Sequence, residues 1–264
     1  MRPSLLLSAI SQTNFKMTFK TVLAFIGITI FTSSSIFAQG QCNPYFHLEK
    51  GVTWTTEYKT SMSNKKGKVR DFNLKKSYEV DKVKEEDGIT IFELTVRTFT
   101  ANGKRVMLTS KDQLYCKDGD YLVSVLTYMT SPYEHGEKKS ADLALKGITI
   151  PSNLDEVSEF DDVTTEFEYK VYNPRVVKTP MKLEITDRKV EGKEEITTAL
   201  GTFTAYKITS TVVLENLDAG PMPGGPMKIV EYIVPKYGII RKEVYNNKGE
   251  LASTEEITEF ELPN

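Results

Sequence analysis

Short turn signals recur along this chain at hairpin spacing, and they restrict it to antiparallel strands. Glu86-Asp87-Gly88, Asn102-Gly103, Lys117-Asp118-Gly119-Asp120, Glu191-Gly192 and Asn246-Asn247-Lys248-Gly249 are rich in residues that tolerate tight turns. Between them the residues alternate with period two. Phe92, Leu94 and Val96 face one way while Glu93, Thr95 and Arg97 face the other. Phe167, Tyr169 and Val171 alternate with Glu166, Glu168 and Lys170, and Met181, Leu183 and Ile185 repeat the pattern. Connections this short join antiparallel strands and leave no room for parallel crossovers.

The strongest stretch runs from Thr197 to Leu251. β-branched and aromatic residues dominate it, and Gly sits where strands should end. Phe203 to Leu214 reads as one long strand, followed by a Pro- and Gly-rich loop from Ala219 to Pro226. Prolines cannot donate to a ladder, so that loop is a hairpin tip and Pro235 marks a strand end or edge. Upstream, Val52–Ser61, Phe72–Lys84, Arg105–Cys116 and Tyr121–Met129 read as strands, with a turn at Asn64-Lys65-Lys66-Gly67. Thr130 to Gly147 breaks the pattern as a long loop, with a helical turn expected at Ala141–Leu145. The expected fold is all-β: about ten to twelve antiparallel strands forming a curved sheet, a half-barrel or flattened barrel. The long loop or short helix would lie over one face.

The N-terminus carries a different signal. Lys16 and Lys20 flank Met17, an apolar run extends from Val22 to Phe31, and small residues lead to Ala38-Gln39. A basic region, a short apolar core and a small residue before the cut describe a secretory signal cleaved between Ala38 and Gln39. The run is shorter than the ~20 residues a membrane span needs. The signal is complete from Met17 onward, so translation is expected to start there. Residues 39–264 then form a single domain of 226 residues, with 31 Lys plus Arg against 36 Asp plus Glu. The charges are mixed and form no basic block, which argues against a nucleic-acid partner. No transmembrane span is expected in the mature protein, which would reside in the periplasm or outside the cell.

Two cysteines, Cys42 and Cys116, are present. An even pair in an exported chain reads as a disulfide. The alternative is lipidation of Cys42, but that cleavage needs a small residue before the cysteine, and Gln41 is not small.

Reaction chemistry is hard to place. The two histidines, His47 and His135, have no second His or Cys at metal-binding spacing. Fingerprints for zinc proteases, serine hydrolases, phosphate loops and dinucleotides are missing. The acidic cluster Asp155, Glu156, Glu159, Asp161 and Asp162 lacks the ligand spacing and Gly of a calcium loop. No catalytic residue, metal or cofactor is therefore expected. A hydrolase acting through an unidentified carboxylate pair is the remaining enzymatic alternative.

In order along the chain, several segments resemble the TapB-like family of secreted proteins, related to DUF-type domains of Bacteroidota. They are Cys42 with Tyr45 and Phe46, Gly51 to Trp54, Cys116 to Tyr121, Ile150 to Leu154, Gly201-Thr202-Phe203 and Tyr232 to Gly238. The resemblance implies export and an antiparallel sheet like the curved half-barrels of lipoprotein carriers, and implies no known reaction. In that family an acidic residue tends to precede the methionine after the second cysteine. Here Tyr128 precedes Met129, so no role passes to that position. The expected function is an exported, non-enzymatic binding module. Its concave sheet, lined by Phe92, Leu94, Val96, Met181, Leu183, Ile185, Tyr206 and Tyr232, would hold an acyl chain or lipid, with 130–147 as a lid. The competing reading is a structural module that meets another envelope protein through an edge or outer face.

Overall fold

The computed structural model describes residues 42–63, 69–100, 102–123, 148–172, 176–221 and 225–263. The expected signal, the turn at Asn64–Gly67, residues 124–129 of the expected fifth strand, and the 130–147 loop lie outside them. The described residues form strands and connecting turns only. In chain order the strands are β1 (Thr53–Ser63), β2 (Val69–Glu86), β3 (Ile89–Phe99), β4 (Val106–Lys117), β5 (Asp120–Val123), β6 (Ile148–Ile150) and β7 (Val163–Tyr172). They continue as β8 (Val176–Thr198), β9 (Gly201–Asn216), β10 (Gly220–Pro221), β11 (Met227–Val234), β12 (Gly238–Tyr245) and β13 (Leu251–Glu261).

All thirteen belong to one antiparallel sheet, ordered β6-β5-β4-β3-β2-β1-β13-β12-β11-β9-β8-β7, with β10 paired to β9. Hairpins make most neighbours. The joint between β1 and β13 links the first and last strands of the sheet, with Trp54 opposite Phe260 and Tyr58 opposite Glu255. The turn chemistry explains the register. Asp87-Gly88 and Asp118-Gly119 both have positive φ at two successive positions, the conformation of a two-residue hairpin turn.

One expected turn is absent. Glu191-Gly192 lies inside β8, which runs unbroken for 23 residues. The chain reverses instead between Thr198 and Gly201. Gly192 takes a φ of 121° at a register shift between Val190 and Gly192, so its backbone freedom makes a bulge. A second shift lies between Thr186 and Lys189, where Asp187 has a φ of 52°.

The sheet curls until its ends nearly meet. The segment 158–160 runs beside β8, with Phe160 N–H donating to the Arg188 carbonyl at 2.9 Å and Val190 N–H to that of Ser158 at 2.9 Å. Arg188 Nη1 donates to the Thr149 carbonyl of β6 at 2.8 Å. The enclosed face carries the main apolar cluster, drawn from both halves of the sheet: Val80, Phe92 and Leu94 pack with Leu183, Ile185, Ile208 and Ile233. Each such side chain contributes roughly 1.5–3 kcal/mol on burial.

The lead-in segment closes one end. Cys42 and Cys116 are disulfide-bonded, with Cα atoms 6.1 Å apart. Asn43 Nδ2 donates to the carbonyls of Gly119 (2.9 Å) and Ile150 (3.1 Å). Lys236 N–H donates to the Pro44 carbonyl (3.1 Å), and Gly238 N–H to that of Tyr45 (2.7 Å). The segment therefore ties the β4–β6 region to the β11–β12 turn, while Tyr45, Leu48 and Val52 join the main cluster.

A second apolar cluster lies on the outer face. Ile196, Ala205, Val230, Tyr232, Val234 and Ile240 form it, with Phe203, Tyr237 and Tyr245 at its margin. The β8–β9 hairpin tip reaches over it: Ala199 N–H donates to Glu256 Oε1 at 3.2 Å, and Arg241 Nη2 to the Thr197 carbonyl at 3.0 Å.

Candidate functional site

Seven of the eight residues expected to line the concave face do share it. Phe92, Leu94, Val96, Met181, Leu183, Ile185 and Tyr206 are all buried members of the main cluster. Tyr232 is the correction. It belongs to the outer cluster under the β8–β9 tip, because β11 is buried on both faces and sends Ile229 and Ile233 inward, Val230 and Tyr232 outward. The seven pack against one another and their neighbours, so the face they form is filled where they meet.

The same inner face also carries charge. Along β11, Glu231 falls between the inward Ile229 and Ile233, and it is 1 % exposed. Its register partners are Ile208 on β9 and Lys242 on β12. Lys242 in turn stands opposite Glu255 on β13, with Nζ 3.4 Å from Oε2 and side-chain exposures of 13 % and 22 %. Thr56 Oγ1 donates to Glu255 Oε1 at 3.1 Å. Burial pushes the Glu255 carboxyl up, but Lys242, Lys76 and the Thr56 hydrogen bond outweigh it and hold the group below its ordinary value. A row Val190–Ile208–Glu231–Lys242–Glu255 thus crosses five strands, apolar at the β8 end and charged at the β13 end.

At the closed end, aromatic and charged groups meet. The Tyr45 and Tyr206 rings pack edge to face with centroids 5.5 Å apart. Tyr206 Oη donates to Asp155 Oδ2 at 2.7 Å, and Lys193 Nζ lies 2.8 Å from Asp155 Oδ1. Burial is the main cause that pushes the Tyr206 phenol up to about 12. Asp155 lies exposed in the acidic loop, as a solvated residue should, and also pairs with Lys193 at this rim.

Arg188 is the most unusual polar group on the inner face. It is 3 % exposed, and its guanidinium lies 4.0 Å above the Phe160 ring. Nη1 is satisfied by Thr149, whereas Nε and Nη2 have no hydrogen-bond partner among the described residues. Sequence reading missed both Arg188 and Glu231. The signal for Glu231 was a lone acid within the apolar run Ile229-Val230-Glu231-Tyr232-Ile233. Arg188 sits in Thr186-Asp187-Arg188-Lys189, which reads as a solvated polar run until the bulge at Asp187 turns it inward.

Residues 52–257 match the model of the DUF3108-like family. Among solved structures, an inferred exported protein with YmcC-like fold from Bacteroides fragilis NCTC 9343 aligns with a TM-score of 0.55 at 19% identity, covering 84% of this chain and 100% of that one. An inferred lipoprotein from Parabacteroides distasonis ATCC 8503 aligns with a TM-score of 0.56 at 17% identity, covering 83% of this chain and 99% of that one. Likeness at this identity shows a shared fold. None of the curated proteins matches the chain. No helix among the described residues is long and apolar enough to cross a membrane.

Proposed function

The chain belongs to the DUF3108-like family, and on that premise we propose that it is an exported, non-enzymatic module that holds an acyl chain or lipid on the concave face of its sheet. The observation that supports this most is the inner cluster itself. It packs shut where its side chains meet and draws them from both halves of a sheet that stops short of closing, so the place left for an acyl chain is the seam between the sheet's ends. Export is supported by the basic–apolar–small pattern of residues 1–38 and by the names of the two structural relatives. The narrower TapB-like kinship belongs to the same proposal. The non-enzymatic part of the reading rests on the sequence, in which no reaction fingerprint is found.

The test is saturable binding of a fluorescent fatty acid to the purified mature protein, displaced by an unlabelled acyl chain. Saturation near one ligand per protein is expected, and absence of saturable binding would overturn the reading.

A second reading, a module that meets another envelope protein, is favoured by Val106 and Met107. These adjacent residues at the start of β4 are large, apolar and roughly half exposed. Capture of one defined envelope partner, lost on Val106→Ser/Met107→Ser, would favour it. The hydrolase alternative would be restored by turnover in a broad substrate screen, abolished by one Asp or Glu substitution that leaves the fold intact.

A further inference from the structure

We propose that Arg188 receives the anionic head group of the ligand at the seam where the two ends of the sheet approach. This rests on the acyl-binding reading and deepens it by naming the ligand as an acidic amphiphile.

A guanidinium is flat and rigid. It has five N–H donors in one plane, and its Nε and Nη2 edge presents two parallel donors that match the two oxygens of a carboxylate or phosphate. In Arg188 the third nitrogen, Nη1, already has an acceptor. The Thr149 carbonyl takes Nη1 at 2.8 Å, and Phe160 covers the plane at 4.0 Å. What remains is the two-donor edge, and both of its nitrogens are buried without a hydrogen-bond partner among the described residues.

A buried donor without an acceptor costs about 1–3 kcal/mol, and more when the group is charged. Native proteins rarely leave such groups, and an anion or an ordered water is the usual acceptor for them. A purely structural clasp between β6 and β8 would need Nη1 alone. It would be served equally well by a shorter or neutral donor that left no cation behind. The guanidinium is also fixed in orientation from two sides, which lowers the ordering needed to form a bidentate pair.

Its surroundings fit an amphiphile. Ile148 and Ile150 flank Thr149 on β6, and Ile185 and Val190 lie on either side of Arg188 on β8; Ile148, Ile150 and Ile185 are buried in the inner cluster and Val190 packs against it. An acid head on the Arg188 edge would therefore leave its chain beside apolar surface. Glu255, at the charged end of the row that runs away from β8, is already paired with Lys242.

The test compares three probes with one chain length: hexadecanol, palmitate and hexadecyl phosphate, titrated into the mature protein. The proposal expects at least one anion to bind 10-fold or more tightly than the alcohol, and the favoured anion identifies the head-group chemistry. In Arg188→Met that preference is expected to vanish while hexadecanol affinity is retained. Arg188→Lys, which keeps the charge and loses the two-donor edge, should keep only a small part of it. Equal affinity for alcohol and acids in the wild-type protein overturns the Arg188 assignment and leaves acyl binding standing. Anion preference that survives in Arg188→Met also overturns it. Failure of all three probes to bind overturns both readings. If Arg188→Met fails to fold, Arg188→Gln takes its place in the same comparison.

Discussion

The ring of Phe46 lies directly over Gly238, so close that a Cβ at position 238 would overlap it. Gly238 also has a φ of 72°, a conformation unfavourable to other residues. This contact seats the lead-in segment on the β11–β12 turn, and Phe46 stacks in turn on Tyr121 with centroids 3.7 Å apart. Gly238→Ala should therefore destabilise the fold by about 2–4 kcal/mol, through both backbone strain and steric overlap. Phe46→Ala should relieve the steric part in the double mutant, leaving a measurable coupling energy in denaturant unfolding. Strictly additive effects would contradict the contact.

The Cys42–Cys116 disulfide closes a span of 74 residues. In the chain-entropy model such a loop stabilises by roughly 4 kcal/mol. Cys42→Ser/Cys116→Ser, or reduction of the wild-type protein, should lower the denaturant midpoint accordingly. Intact mass with alkylation checks the premise. Two free thiols in the native exported protein, or an acyl mass on Cys42, would contradict it.

Acid should weaken the fold in part through Glu255. Its folded-state value lies below the ordinary 4.5, so the carboxylate form is favoured in the native state. The stability this adds is present above about pH 4.5 and lost as the pH falls through the depressed folded value. Glu255→Gln should flatten the acid limb of stability as the pH falls below about 4.5. Asp81 and Glu259, whose values are also lowered, keep the limb from vanishing. An unchanged slope would contradict the role given to Lys242 and Lys76.

Arg241 docks the β8–β9 tip on the outer face. Its Nε donates to Glu256 Oε2 at 2.7 Å, and its Nη2 reaches both that oxygen and the Thr197 carbonyl. Arg241→Ala should cost about 1–2 kcal/mol. Faster amide exchange should be concentrated at residues 197–202 and at the outer cluster around Tyr232. Exchange that changes evenly over the sheet would argue against a docked tip.

The all-β class and most of the hairpin order were legible in the sequence because two-residue turns carry a local chemical demand. Asp87-Gly88 and Asp118-Gly119 meet it with positive φ at both positions, and Gly103 and Gly249 with positive φ at the glycine. Glu191-Gly192 misled for a related reason: a glycine that permits a turn also permits a bulge, and only the pairing of β8 with β9 on both sides decides between them. Alternation placed the concave residues of β3 and β8 correctly, since their outward partners are polar. It failed on β11, where both faces are apolar and Tyr232 carries no label for its side. Arg188 was illegible because two register shifts determine which way its side chain points.

The central claim, that this sheet carries a lipid, is tested most directly by native mass spectrometry of the mature protein purified without detergent from the envelope that exports it. The account predicts a stoichiometric adduct, released by organic extraction and identified as an acyl lipid with an acidic head. Protein that emerges as bare polypeptide from the same preparation, and takes up no acyl lipid when offered one, would contradict it.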